Sequence, residues 1–332
     1  MDKAHAATDA IILEIERRLR SVYSQASREV EKKLKKYLAT FKRNDLKWRS
    51  DVRSGKKTVR EYKEWKISVL AIGKRWEEMK TTLAQDYVNA NNIARSVVLG
   101  YMPEVYALNH NYATYECEKG SLVNTSYTLY SRESVERIMR DNPQMLPLPG
   151  KAVRAAIAQR KAVLWNKQQI QSVMMQAILQ GESIPKIAKR LAFAVGDKDY
   201  KHAVTSARTM ATGAQNAGRE DAYKRAKSKG IKVKQQWIAT LDGRTRHEHR
   251  ILDGQMRDPG EPFEVEGYKI RYPGDPEAEG FLVYNCRCTM IGQIEGYERD
   301  VVSYRQIDPK LGDMTYEEWK QAKPVYNKKK KK

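Results

Sequence analysis

Residues 237–256 read WIATLDGRTRHEHRILDGQM, residues 271–276 read RYPGDP and residues 285–289 read NCRCT. His247, His249, Cys286 and Cys288 all fall within this Gly- and Pro-punctuated stretch, the arrangement expected where scattered ligands or clamps must converge. The pattern around it decides the local fold. Upstream, IKVKQQWIAT alternates Ile231, Val233, Gln235 and Trp237 against Lys232, Lys234 and Gln236, which is the period of a half-buried strand. HEHRIL predicts a short helix ending at Gly254, PFEVEGYKIRYP a hairpin around Gly267, and FLVYNCRCTMI a final strand. The C-terminal module is therefore expected to be a small α+β domain.

Residues two apart on an extended strand face the same side, so Cys286 and Cys288 are expected to point together and Arg287 away. A disulfide between them would be badly strained. Two thiolates on one face with His249 suit a zinc ion held by sulfur and nitrogen, with Asp253 or His247 as a fourth group. Cys-x-Cys is tighter than the usual zinc-knuckle spacing, and two buried, reduced cysteines packing as small hydrophobes fit the same residues. An enzymatic alternative uses the histidines, Asp242 and a metal as a DNA-processing nuclease, but no complete metal-nuclease pattern is present. No oxyanion hole accompanies the cysteines as nucleophiles.

Outward from this module the chain turns helical. In AVTSARTMATGAQNAGREDAYKRAKSKG, residues Ala203, Ala207, Met210, Ala214, Gly218 and Ala222 form a mostly small stripe that permits close approach. Arg208, Thr212, Gln215 and Arg219 share one adjoining face. A polar row beside a small-residue row predicts a helix packed tightly on a sheet or site. Further upstream, LQGESIPKIAKRL carries a Gly stop, a Ser cap and a Pro at a helix start, and is read as a helical hairpin. The Pro run from Pro143 to Pro149 marks a linker.

Tyr101, Tyr106, Tyr112, Tyr115, Tyr127 and Tyr130 crowd the region before it, where a change of character is expected and half-buried aromatic packing is favoured over base stacking. Nearer the N-terminus, Thr8 reads as an N-cap of a long amphipathic helix with Ile12, Ile15, Leu19, Val22, Ala26, Val30, Leu34, Tyr37 and Phe41 on one stripe. A second long helix is expected from Thr58 to Leu99, with DVRSGKK as the turn of an antiparallel hairpin. The resulting division is a helical region at 1–140, a linker at 141–150, a domain at 151–295 with helices to 230 and the α+β module from 231, and a basic extension at 296–332.

The 332 residues carry a net charge of +21, with 31% charged and 41% hydrophobic residues. Such an excess of Lys and Arg favours polyanions through counterion release, and Lys328, Lys329, Lys330, Lys331 and Lys332 are candidate contacts to DNA phosphates. Three cysteines cannot build a disulfide framework, and no run of 18 apolar residues occurs, so a soluble, non-exported protein is expected.

The ordered set ARTMATGAQNAGREDA, a strand with Trp237, TLDGRTRHEHRILDGQ, PGDP and NCRC resembles the phage Mu protein F-like family, also called phage head morphogenesis or minor head proteins. The likeness spans about residues 150–292. It maps onto Arg208, Thr209, Trp237, Asp242, Arg244, Thr245, His249, Gly254, Cys286, Arg287 and Cys288. Two positions depart from the family pattern. Met210 stands where an acidic residue often follows the Arg-Thr pair, and Arg246 and His249 stand where some members carry Cys-x2-Cys. The resemblance implies a non-enzymatic minor capsid protein inside the phage head near the portal. Its implied roles are head assembly, DNA packaging or ejection. The implied partners are portal protein, scaffold or major capsid protein, and phage DNA without sequence preference. No membrane partner is implied, and the host cytoplasm is its place during assembly.

Overall fold

The computed structural model describes residues 2–71, 74–141, 152–180 and 182–325. The fold is α+β, with long helices toward the N-terminus and a small region of antiparallel strands toward the C-terminus. Two compact units interleave along the chain. Met1–Glu16, Val98–Pro149 and Thr205–Lys332 form the first, and Arg17–Val97 with Gly150–Val204 form the second. This differs from the contiguous division expected from composition, because the unit boundaries fall inside long helices, where composition does not change. The expected Pro-rich linker lies almost wholly outside the described residues.

The second unit is helical. Helix α1 runs Lys3–Arg53, α2 Val59–Ala71 and α3 Lys74–Ser121, with the predicted turn between α1 and α2. Pairing is antiparallel: Trp48 and Phe41 stack on Trp65 at 5.2 and 5.8 Å, Tyr37 meets Trp76 at 5.8 Å, and Lys33 pairs with Asp86 at 2.7 Å. Helices α5 (Ala152–Leu179) and α6 (Ile184–Leu191) add Ile170, Met174, Ile187 and Leu191 to a core with Val30, Leu34, Trp76 and Leu83. Apolar side chains at steps of three and four produce this seam, which is what holds long helices together in water.

Two boundaries differ from expectation. Helix α1 begins five residues before Thr8, and Thr8 is a buried helical residue whose hydroxyl donates to the Ala4 carbonyl at 2.9 Å. Asp2 supplies the cap instead, accepting the His5 N–H at 2.9 Å. The second long helix runs on beyond its expected end, α3 continuing past Leu99 through Pro103 to Ser121. Proline forfeits one helical hydrogen bond, but its neighbours Met102, Val105 and Tyr106 are all buried and hold the turn closed. Tyr106, Tyr112, Tyr115 and Tyr127 are buried in the first unit, an aromatic core as favoured from the sequence.

In the first unit, α4 (Arg132–Asp141) follows α3, and α7 (Asp197–Ser228) lies beside an antiparallel sheet. Strands β1 (Ile231–Ile238), β2 (Met256–Arg257) and β5 (Thr289–Tyr297) pair in the order β2-β1-β5, with Trp237 opposite Met290. Strands β3 (Phe263–Val265) and β4 (Tyr268–Ile270) form the predicted hairpin. Its turn places Glu266 at φ 50° and Gly267 at φ 83°, the double left-handed conformation of a tight hairpin. Two short helices complete the module, α8 (His247–Leu252) and α9 (Gly280–Val283).

Residues 296–325 are not a loose extension. Ile307 bridges to Val123 and Val325 to Leu129, and helix α10 (Tyr316–Ala322), capped by Thr315 and Glu318, seats the buried Trp319 against Tyr115 and Tyr127. Glu118, fully buried, accepts from the Trp319 indole at 2.6 Å and pairs with Lys323 at 2.7 Å. Lys328 to Lys332 lie outside the described residues. Among the described residues no helix is long and apolar enough to cross a membrane.

Candidate metal centre

Helix α7 positions the centre through side chains that reach across to the segment before β5. Thr209 accepts the Asn285 N–H at 2.8 Å and Thr212 donates to the Cys286 carbonyl at 2.8 Å. Asn216, fully buried, donates to the Cys288 carbonyl at 3.3 Å and accepts the Met290 N–H at 3.0 Å. One turn on, Arg219 donates to the Met290 carbonyl at 2.7 Å. Backbone groups that no strand partner satisfies on this side are thus met by helix side chains, as buried polar groups require. The small residues set the spacing. A side chain at Gly213 would meet the Gly274 carbonyl oxygen at 2.6 Å, so the PGDP turn rests directly on helix backbone, and one at Gly218 would meet the Tyr106 carbonyl oxygen at 2.6 Å. Close approach thus occurs at Gly218, within the stripe foreseen in α7, and at Gly213, which lies outside it.

His249 is delivered by α8. The helix stops at Asp253, and Gly254 turns the chain at φ 78° so that its N–H donates to the Trp237 carbonyl at 2.9 Å, while the Gln255 carbonyl accepts the Trp237 N–H at 3.0 Å. A left-handed turn of this kind is open to glycine at little cost. The exchange ties α8 to β1, and the Trp237 ring meets the His249 ring edge-on at 6.0 Å.

His249, Cys286 and Cys288 converge. All three are buried, and one ligand atom from each lies within 4.8 Å of the others. The His249 Nδ1 is 3.2 Å from the Cys288 sulfur and 3.7 Å from the Cys286 sulfur. Zinc bonds of about 2.3 Å to sulfur and about 2.0–2.1 Å to nitrogen in tetrahedral geometry set sulfur and nitrogen about 3.5 Å apart, so the observed spacing fits. The Nε2 edge of His249 donates to the Leu282 carbonyl at 2.9 Å, which leaves the Nδ1 lone pair facing the two sulfurs. A backbone carbonyl fixing the tautomer is the usual support of a metal-binding histidine.

The two thiols are unequal. The Cys286 thiol donates toward Cys288, holding Cys288 below the usual thiol range despite its burial, and the same bond with burial pushes Cys286 well up. Cys288 is the readier thiolate, the form that binds metal. The two cysteines lie just before β5 and not within a strand, because α9 occupies the first part of the predicted strand. Their side chains nonetheless point together, and Arg287 points away to Asp242.

Comparison with known proteins is informative at this point. A family model described as Phage Mu protein F like protein matches residues 168–291. This region is similar to that family over somewhat more than a third of the chain. Over 323 residues the chain is 25% identical to minor head protein GP7 of Bacillus phage SPP1, covering 95% of this chain and 94% of that protein. Over 269 residues it is 24% identical to NAD(+)–arginine ADP-ribosyltransferase EFV of Enterococcus faecalis, covering 80% of this chain and 53% of that protein. The chain thus spans about half the length of the transferase. No solved structure matches.

The remaining motif positions of the Mu F-like region have defined places. Arg287 grips Asp242 with two bonds of 2.6 and 2.7 Å. Those bonds, with the Arg244 N–H at 2.9 Å, hold the Asp242 carboxyl far below its usual range. Thr245 accepts the Asp242 N–H at 3.0 Å and donates to the Thr240 carbonyl, closing the loop from β1 to α8. Thr240 in turn donates to the Arg287 carbonyl at 3.0 Å. Arg208 pairs with Glu16 at 2.7 Å. Asp242 is therefore a loop clamp outside the His249–Cys286–Cys288 cluster.

Neither candidate fourth ligand joins the cluster. Asp253 accepts the Ala239 N–H at 2.8 Å, a bond that a residue at a helix end is well placed to make, and His247 is exposed beside Glu266 at 3.5 Å. Asn216 is the site residue that sequence reasoning missed. Its signal was present, since asparagine in a helix interior is unfavourable unless its side chain has a partner.

Proposed function

We propose that this protein is a non-enzymatic minor head protein of a phage, located inside the head, bound to the portal, and acting in capsid assembly and in the packaging or ejection of DNA. The observation that carries this reading is the similarity to the minor head protein of Bacillus phage SPP1 along nearly the whole of both chains. The charge of +21 supports a place beside packaged DNA, with affinity that is independent of sequence and falls with salt. The portal, a scaffold or the major capsid protein would be the protein partners. The shared stretch accounts for 53% of the transferase, and no transferase activity is proposed.

Within this reading one zinc ion is held by His249, Cys286 and Cys288 and acts as a clasp. It would supply a cross-link between α8 and the segment entering β5, two pieces of chain 37 and 39 residues apart at the ligands. Structural zinc contributes directly to folding free energy in small modules. A nuclease needs a base or a second carboxylate-bound metal, and among the described residues the groups lining the cavity at the cluster are arginine, threonine, asparagine, histidine and cysteine.

Purification of heads from infected cells tests the role. The protein is expected to co-purify with portal protein, and its absence from heads would contradict the proposal. Plasmid DNA incubated with the protein and divalent metals is expected to stay intact; cleavage that His249→Ala abolishes would replace the structural reading with an enzymatic one.

A further inference from the structure

A cavity of about 90 Å³ opens in front of the cysteine–histidine cluster, and four arginine residues line it: Arg208, Arg244, Arg246 and Arg287, the last with its guanidinium turned onto Asp242. They come from three stretches of chain, namely α7, the loop before α8 and the segment before β5. Thr240, Thr245 and Asn285 complete the wall. The charge is not balanced locally. Arg208 is paired with Glu16 at 2.7 Å and Arg287 with Asp242 at 2.6 Å. Arg244, 78% exposed, lies 3.7 Å from an Asp242 oxygen that Arg287 already holds. Arg246 donates to the Tyr284 carbonyl and has no carboxylate partner among the described residues. Four positive groups thus share two carboxylates.

We propose that this cavity is a binding site for a phosphate group, and that the group it takes is a backbone phosphate of DNA. A planar carboxylate is satisfied by one forked arginine, as Asp242 is by Arg287. Several arginines gathered at one cavity, with more positive charge than their carboxylates balance, instead match a tetrahedral group with three acceptor oxygens and up to two negative charges. The cavity has room for such a group, being large enough for several water molecules. Two arginines are held in place by carboxylates and two remain to donate, so the site is largely formed before the ligand arrives. The choice of DNA as the source of the phosphate rests on the head-protein reading; the phosphate site itself does not.

The test uses the full chain, with inorganic phosphate and a short DNA duplex as separate probes, and the variants Arg244→Gln and Arg246→Gln, singly and together. Both positions reach solvent, and unchanged melting temperature and unchanged metal content will show that the variants fold. Inorganic phosphate is expected to bind the parent protein and to bind the double variant at least about tenfold more weakly, since each lost contact is charge-assisted. Arg246→Lys is expected to recover only part of the loss, because an ammonium keeps charge without the fork. On the duplex, the double variant is expected to lower the slope of log affinity against log salt by about 1, for the one phosphate contact removed. Phosphate binding without duplex binding would uphold the cavity and overturn DNA as its ligand. Duplex binding with the same affinity and slope in parent and double variant would overturn the proposed site while leaving the general DNA affinity of the head-protein reading intact.

Discussion

Arg219 is fully buried in α7, and its guanidinium is spent on three partners: Asp2 at 2.8 Å, the Asn109 side chain at 3.1 Å and the Met290 carbonyl at 2.7 Å. Removing it leaves a half-buried carboxylate and a buried carbonyl without their donors. Arg219→Leu is therefore expected to cost about 3–5 kcal/mol in urea unfolding, against near-neutrality for an exposed cation of the same helix such as Lys201→Leu. Nearby, burial raises the Glu116 carboxyl from its usual 4.5 to about 7, outweighing the attraction of Arg219. The folded state then holds a proton that the unfolded state has released, so stability falls as pH rises from 4.5 to about 7. Glu116→Gln is expected to flatten this decline in melting temperature, gaining on the order of 2–3 kcal/mol at pH 8 and nothing at pH 4.5. Residue types at this scale were readable where chemistry is distinctive. His249, Cys286 and Cys288 stood out by type and spacing, whereas Asp253 was drawn to a backbone N–H that no sequence pattern displays.

At the scale of elements, the approach of α7 to the PGDP turn depends on Gly213. Its replacement in Gly213→Ala drives a methyl into the Gly274 carbonyl, a backbone atom that cannot swing aside. A loss of about 1–3 kcal/mol and weaker metal retention are expected, since the same helix carries Thr212 and Asn216 against the cysteine segment. Helix α10 is the second dependent element. Trp319→Ala opens a cavity among Tyr115, Tyr127 and Tyr316 and takes a donor from buried Glu118, for an expected cost of about 3–5 kcal/mol by calorimetry. Periodicity disclosed α1, β1 and the β3–β4 hairpin because each buries one face only, whereas α7, buried all round from Ala211 to Glu220, was marked by its small residues. It did not disclose that α3 runs on through Pro103, since tertiary burial of Met102 and Tyr106 decides that, or that the C-terminal segment folds back. The latter rests on a few contacts with residues some 200 positions away, such as Glu118 with Trp319. Local pattern carries no record of such pairings.

At the scale of the whole molecule, we propose a head protein whose Mu F-like region is locked by one metal ion. The charge of +21 makes any DNA affinity steeply salt-dependent, but an excess of lysine and arginine is shared by proteins of many kinds and identifies no partner. The order of the motifs carried the family, and the structure explains that order: Thr209 holds Asn285, Trp237 packs on His249, Gly254 returns α8 to β1, and Arg287 clamps Asp242. These motif residues fix pieces of chain around His249, Cys286 and Cys288. The most direct measurement is metal content with X-ray absorption on the purified protein, run beside the Cys286→Ser/Cys288→Ser double variant. One zinc per chain is expected, with sulfur at about 2.3 Å and nitrogen at about 2.0 Å in its shell, and the double variant should be metal-free and melt at lower temperature. Metal-free parent protein that melts at the same temperature with and without added zinc would contradict the account.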